Sequence, residues 1–282
     1  IEDMPQNRFQ LFGAVLKTRW SAMVGVNLLY VLFWLPAAAW TLLNYITLVS
    51  GATENVSGLF STYLLVLIPL IALTGPFTAG ATYVLRNWAR DEHSFVWSDF
   101  WDAVKANWKQ ALLVSVISGV APVVLYFGWQ FYGSMAAKSL LFYIPMGLVL
   151  MMFVVWKLME MVIYTMMVTY DLKFKDLLRN SFLLTIGKLP LAVGVKLLTL
   201  VVPILAIAAI FVIPGAEPYV MLIFAVLYLL FMPAFNRLIL GSFSNALCEK
   251  YINPKIEGAQ SNIGLRPENW DDTEYIPEDD EE

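Results

Sequence analysis

The stretch that decides the fold is SLLFYIPMGLVLMMFVVWKLMEMVIYTMMVT, residues 139–169. It is long and apolar enough to cross a bilayer, for which a helix needs about 20 residues. Yet it carries two ions of opposite sign, Lys157 and Glu160, near its middle. Three positions apart on a helix, the two side chains project from one face and can meet. An ion in hydrocarbon is costly unless it is paired or wetted, so this face points into a bundle of helices.

Working outward, the whole chain shares this character. Of its 282 residues, 59% are hydrophobic and only 14% charged, with a mean hydropathy of +0.67; soluble domains are about 25% charged. Six segments meet the length criterion for a span, at about 22–43, 59–85, 111–131, 139–169, 189–213 and 219–246. No alternating polar/apolar strands occur, which excludes a membrane β-barrel. The reading is an all-α polytopic membrane protein, with six transmembrane helices arranged as three hairpins. Residues 1–250 form the transmembrane domain.

Fourteen of the 18 basic residues fall at one side of this arrangement: Arg8, Lys17 and Arg19, then Arg86, Arg90, Lys105 and Lys109, then Lys173, Lys175, Arg179 and Lys188, and last Lys250, Lys255 and Arg266. Only Lys138 lies in the opposite loops, and three bases lie within spans. The positive-inside rule then places both termini in the cytoplasm. A cleaved signal peptide is not expected, because the first span is too long and its flank shows no small-residue cleavage motif. The net charge of −4 arises from the end of the chain, where nine acidic and no basic residues follow Pro267. The rest carries 18 bases against 13 acids, a net +5. Residues 251–282 therefore read as a cytoplasmic acidic tail, disordered and solvated from about residue 267.

A loose three-fold internal repeat runs through the chain. Each unit is an amphipathic cytoplasmic helix, a span carrying a proline, a loop and a returning span. The amphipathic stretches place Phe9, Phe12, Leu16 and Trp20, then Phe100, Val104 and Trp108, then Phe174, Leu178 and Phe182 at helical spacing. Basic residues beside them assign these helices to the inner headgroup layer. Pro36, Pro122 and Pro203 follow in turn, 86 and 81 residues apart. Such parallel repeats either enclose a central cleft or close into a compact bundle. The small-residue steps Gly75–Ala79, Ser115–Gly119 and Ser242–Ala246 allow close helix packing. Pro69, Pro76, Pro145 and Pro233 kink their helices where neighbours satisfy the freed carbonyls.

Ionisable residues inside spans are the sharpest functional signal. Besides Lys157 and Glu160 there are Lys196 in the fifth span and Arg237 in the sixth. Counted from the cytoplasmic ends at 1.5 Å per residue, Glu160, Lys196 and Arg237 lie roughly 12–16 Å deep, with Lys157 a turn deeper. Tyr164 and Asn236 are the supporting polar groups at this level. One acid with three bases leaves surplus positive charge, which suits a carboxylate, a sugar acid or a lipid headgroup. Alternatively, Glu160 pairs with one base to lock the bundle, and the other bases snorkel to the interface.

No catalytic constellation is present: the chain lacks a P-loop, a dinucleotide fingerprint and any ligand-spaced partner for its lone His93. Neither a metal, a cofactor nor a nucleic-acid partner is expected, and the chain does not read as an enzyme. Asp99 and Asp102 suit the first turn of a helix. The single cysteine, Cys248, excludes an internal disulfide and reads as an inert apolar thiol or a palmitoylation site at the membrane edge.

Thr74-Gly75-Pro76, Tyr83-Val84-Leu85-Arg86, Phe95 through Asp99-Phe100, and Asn107-Trp108-Lys109 are similar to the YesL family of bacterial membrane proteins. So are Tyr170-Asp171-Leu172, Asn180-Ser181 and Leu189-Pro190. The resemblance covers most of the chain up to about Lys250. It implies a multi-pass protein of the bacterial plasma membrane that serves as an accessory subunit to a carbohydrate importer of the ABC type, docking on its transmembrane subunits. It carries over no activity residue by residue, and the charges within the spans belong to none of its motifs. The alternative is a stand-alone permease or binder for an anionic small solute or lipid headgroup.

Overall fold

A computed structural model describes residues 4–266, and among these the regular structure is entirely helical. In order come α1 (Arg8–Leu32), α2 (Leu35–Val49), α3 (Val56–Trp88), α4 (Val96–Ala136), α5 (Tyr143–Thr169), α6 (Phe174–Gly187), α7 (Leu189–Val212), α8 (Glu217–Leu230) and α9 (Met232–Tyr251). Four of them are long and apolar enough to cross a membrane: α3, α4, α5 with the turn before it, and α7. The number rises to six if α1–α2 and α8–α9 each count as one bent span.

These bends go further than the spans read at 22–43 and 219–246, where a kink is expected at Pro233 but no complete break. The chain turns by 64° between α1 and α2 and by 57° between α8 and α9. A proline stands in the first turn after each break, Pro36 in α2 and Pro233 in α9. There its missing N–H costs nothing, because the first N–H groups of a helix have no intrahelical partner. A break still frees backbone groups that need partners. At the second break a single side chain of α1 supplies them. The fully buried Asn27 donates from Nδ2 to the carbonyls of Tyr228 (3.1 Å) and Leu229 (2.7 Å), and its Oδ1 accepts from the Ala234 N–H (2.8 Å).

The closest helix pair is α3 with α4. Pro76 cannot donate to the Ala72 carbonyl one turn back, and Ser115 of α4 does so instead, Oγ to O 2.7 Å. That bond requires a glycine at position 75. A Cβ there would stand 2.2 Å from Ser115 Oγ and 2.3 Å from the Ala111 carbonyl oxygen. Gly119 likewise lies against Ile68, where a Cβ would be 3.0 Å from its Cα. Two of the three small-residue steps read from the sequence, Gly75–Ala79 and Ser115–Gly119, thus lie at this α3–α4 interface. Gly75→Ala should destabilise the fold by about 1–3 kcal/mol, the cost of overpacking a closed interface, and lower the thermal midpoint in detergent. Adding Ser115→Ala should not restore it, since the Ala111 carbonyl remains in the way.

The three amphipathic stretches join their apolar neighbours in three different ways. The first runs into α1 with a kink at Arg19 (φ −118°, ψ 16°), the second is continuous with the rest of α4, and the third is the separate helix α6. Their prolines differ too: Pro36 opens α2, whereas Pro122 and Pro203 lie inside unbroken helices. In α1 and α6 the face packed on the protein, Leu11 and Val15 or Leu177 and Ser181, sits one residue before the aromatic stripe. Phe9 and Trp20 are therefore exposed, while Phe100 in the second stretch is buried.

The end of the bundle that holds residues 4–8 is closed by a buried carboxylate. Glu249 of α9 pairs with Arg8, lies 3.8 Å from Arg90 Nε, and accepts from Asn245 Nδ2 and the Asn262 N–H, both at 2.8 Å. The Arg266 N–H donates to the Pro5 carbonyl (2.9 Å). Residues 251–266, the part of the tail that precedes the run expected to be disordered, are packed on the body. The acidic run from residue 267 lies outside the described residues.

Candidate functional site

Five of the six residues singled out within the spans come together. Lys157, Glu160 and Tyr164 of α5, Lys196 of α7 and Arg237 of α9 all line one cavity of about 180 Å³. Its remaining wall comes from Trp34 at the α1–α2 break, Ile71, Thr74 and Thr78 of α3, Ser115 and Ser118 of α4, and Met161 and Leu240. Asn236 does not line it. One residue before Arg237, it points about 100° away round α9.

Glu160 is the one carboxylate on this wall, and its oxygens are already engaged. Oε2 accepts from Lys157 Nζ at 2.8 Å, and Oε1 accepts from the Ser118 hydroxyl. Ser118 Oγ in turn accepts from Trp156 Nε1 at 3.1 Å. Ser118 also lies 2.8 Å from the Val114 carbonyl, but it has one hydrogen and the charged oxygen is the stronger acceptor. The carboxylate thus ties α5 to α4 through Ser118, while its ion pair with Lys157 stays within α5. Lys196 and Arg237 are not spent in the same way. Among the described residues no carboxylate oxygen lies within 4.0 Å of either. The Arg237 guanidinium is held over the Tyr164 ring, 5.0 Å from its centroid, a contact that orients a cation without neutralising it. Three cations and one already-paired anion leave the cavity with a positive surplus.

Sequence reasoning missed the hydroxyl lining. Thr74 with Thr78, and Ser115 with Ser118, recur at helical spacing inside two apolar spans. That polar stripe was the available signal, but Ser115 read as a packing residue. Thr78 Oγ1 and the Tyr30 hydroxyl are 3.0 Å apart, so part of the lining is held from α1. Trp34 gave no sequence signal beyond its place two residues before Pro36. Its indole Nε1 is buried without a hydrogen-bond partner.

A second concavity, of about 790 Å³, opens between the first half of α4 and the turn from α5 to α6. Tyr83, Asp99, Asn107, Trp108, Lys109, Tyr170, Asp171 and Leu172 line it. Gln110 Nε2 donates to the Leu172 carbonyl (2.8 Å) across its floor. Burial pushes the Tyr170 hydroxyl well above the usual phenol range. The other residues noted from the sequence lie elsewhere: Cys248 is buried inside the packed helices, and the His93 ring lies edge-on to Phe95, 4.5 Å between centroids.

No curated protein and no solved structure matches the chain. A family model does match, over residues 23–129, and it covers the last ten residues of α1, all of α2 and α3, and α4 to Trp129. Within it fall Trp34 and the hydroxyl wall of the cavity, whereas Lys157, Glu160, Lys196 and Arg237 all lie beyond it. By this match residues 23–129 carry a DUF624 domain, described as a protein of unknown function.

Proposed function

We propose that this chain is a YesL-like, six-span protein of the bacterial plasma membrane whose central cavity binds the anionic group of a small solute or a lipid headgroup. Each bent helix pair counts as one span, and three hairpins descended from a loose repeat enclose the cavity. Both ends of the chain face the cytoplasm. The distribution of basic residues supports that orientation, and the outward-facing Phe9 and Trp20 suit a helix resting in the headgroup layer. The role is binding or transport rather than catalysis. One observation carries the reading: Lys157, Lys196 and Arg237 share a wall on which Glu160 is the sole acid. An anion relieves the repulsion among the cations where surrounding protein and lipid screen it poorly.

The test is equilibrium binding of inorganic phosphate and galacturonate to the purified chain in phosphatidylcholine nanodiscs. Saturable binding is expected, weakened about 10- to 100-fold by Lys196→Gln or Arg237→Gln, the usual worth of one charge-assisted hydrogen bond. Glu160→Gln should lower the thermal midpoint, because Lys157 loses its partner, and should tighten phosphate binding by raising the positive surplus. Loss of phosphate binding in a folded Glu160→Gln protein would mean that the carboxylate recognises the ligand. No binding by the wild type would dismiss the site. Flux of either anion into proteoliposomes containing this chain alone would make it a permease.

A second reading, an accessory subunit of a carbohydrate ABC importer, is favoured by the groove between α4 and the α5–α6 turn. Residues on which the YesL resemblance rests, from Tyr83 to Leu172, converge there from three separate stretches of sequence. Such a surface suits a partner subunit. Affinity purification from native membranes in mild detergent should then recover transporter subunits, and a Trp108→Ala, Asp171→Ala double variant should lose them.

A further inference from the structure

We infer that the anion bound in the central cavity is the head of an amphiphile, with its apolar tail lying in a second cavity between α2, α3 and α8. The inference rests on the anion-binding reading and names the class of ligand. This second cavity measures about 800 Å³, within the roughly 300–1,000 Å³ of ordinary ligand sites. It is apolar, walled by such residues as Ala38, Leu42, Leu67 and Phe224. Trp34 and Ile71 line both cavities, so the two meet at one seam. The Trp34 indole N–H lies at that seam, buried and, among the described residues, without a hydrogen-bond partner. At the far end the Tyr45 hydroxyl donates to Glu217, joining α2 to α8 across the apolar space.

A wholly polar anion would make no use of the larger apolar space, and a neutral lipid would leave the cations uncompensated. A molecule with a small phosphate or carboxylate head and a hydrocarbon tail satisfies both. The α1–α2 break makes this possible, because a straight first span would carry its side chains past the seam instead of turning Trp34 into it.

The experiment compares inorganic phosphate with dodecyl phosphate, each bound to the full chain in phosphatidylcholine nanodiscs after subtraction of empty nanodiscs. Dodecyl phosphate should bind at least about tenfold tighter, since each buried methylene adds to affinity. Ala38→Trp, which fills the apolar cavity away from the cations, should abolish that advantage while leaving inorganic phosphate affinity within about twofold. Arg237→Gln should weaken both probes. Equal affinity for the two probes, or an advantage that survives Ala38→Trp, would overturn the amphiphile and leave a site for free anions. Failure of both probes to bind would remove the anion site itself.

Discussion

Glu249→Leu should destabilise the protein by about 3–5 kcal/mol, the cost of removing one partner from a buried ionic network. The carboxylate is only 5% exposed and is engaged by four parts of the chain: Arg8, Arg90, Asn245 and the Asn262 backbone. Leucine nearly preserves the volume, so the loss reports the charge and its hydrogen bonds rather than a void. Arg90 keeps Glu92, with Nη2 3.4 Å from Oε1, but Arg8 is left facing an apolar side chain. The Asn262 N–H loses its acceptor as well. Thermal unfolding of the purified protein should show a markedly lower midpoint, together with faster proteolysis after α9. Arg8→Leu should cost less, because Glu249 retains its other donors. A Glu249→Leu protein that melts with the wild type would show that the network does not hold the bundle end together.

Asn27→Leu should cost about 3–5 kcal/mol. It strips partners from three backbone groups at the α8–α9 break, and a buried polar group left unsatisfied costs about 1–3 kcal/mol. The Tyr228 and Leu229 carbonyls have few other donors in reach, because the helix that would have continued past them stops. Pro233, in the first turn of α9, makes straightening α8 into α9 a poor remedy, because it has no N–H for the Leu229 carbonyl one turn back. The expected readouts are a lower thermal midpoint and weaker phosphate binding, since Arg237 sits in the second turn after the break. An unchanged midpoint would mean that the break is stable without its side-chain cap.

These two residues mark where sequence reading stopped. Asn27 stands in an apolar span with nothing local to distinguish it from a tolerated polar residue, and its acceptors lie 201 and 202 positions away. Arg8 and Arg90 counted simply as cytoplasmic charge, because the sequence carries no mark that Glu249 is buried beneath them. The Ser115 bond to Ala72 was half legible: Pro76 announced a freed carbonyl, while the donor came from the neighbouring helix. The α8–α9 bend was half legible, since Pro233 announces a kink, whereas the α1–α2 break was hidden because hydropathy averages straight through it. Phe33 and Phe231 are as apolar as the helices on either side.

The sequence by itself determined that the chain is a set of long apolar helices, that Lys157 and Glu160 share a face, and that Glu160, Lys196 and Arg237 lie at a matching depth. Length, hydropathy and i to i+3 spacing are properties of one helix at a time, so they can be read without neighbours. Only the tertiary structure decided that Glu160 is engaged by Lys157 and Ser118 while no carboxylate among the described residues lies within 4.0 Å of Lys196 or Arg237, that Asn27 caps a distant break, and that an apolar cavity and the cationic one share Trp34. Hydrogen-bond satisfaction and enclosed space belong to groups brought together from different helices, and no periodicity within a single helix encodes them.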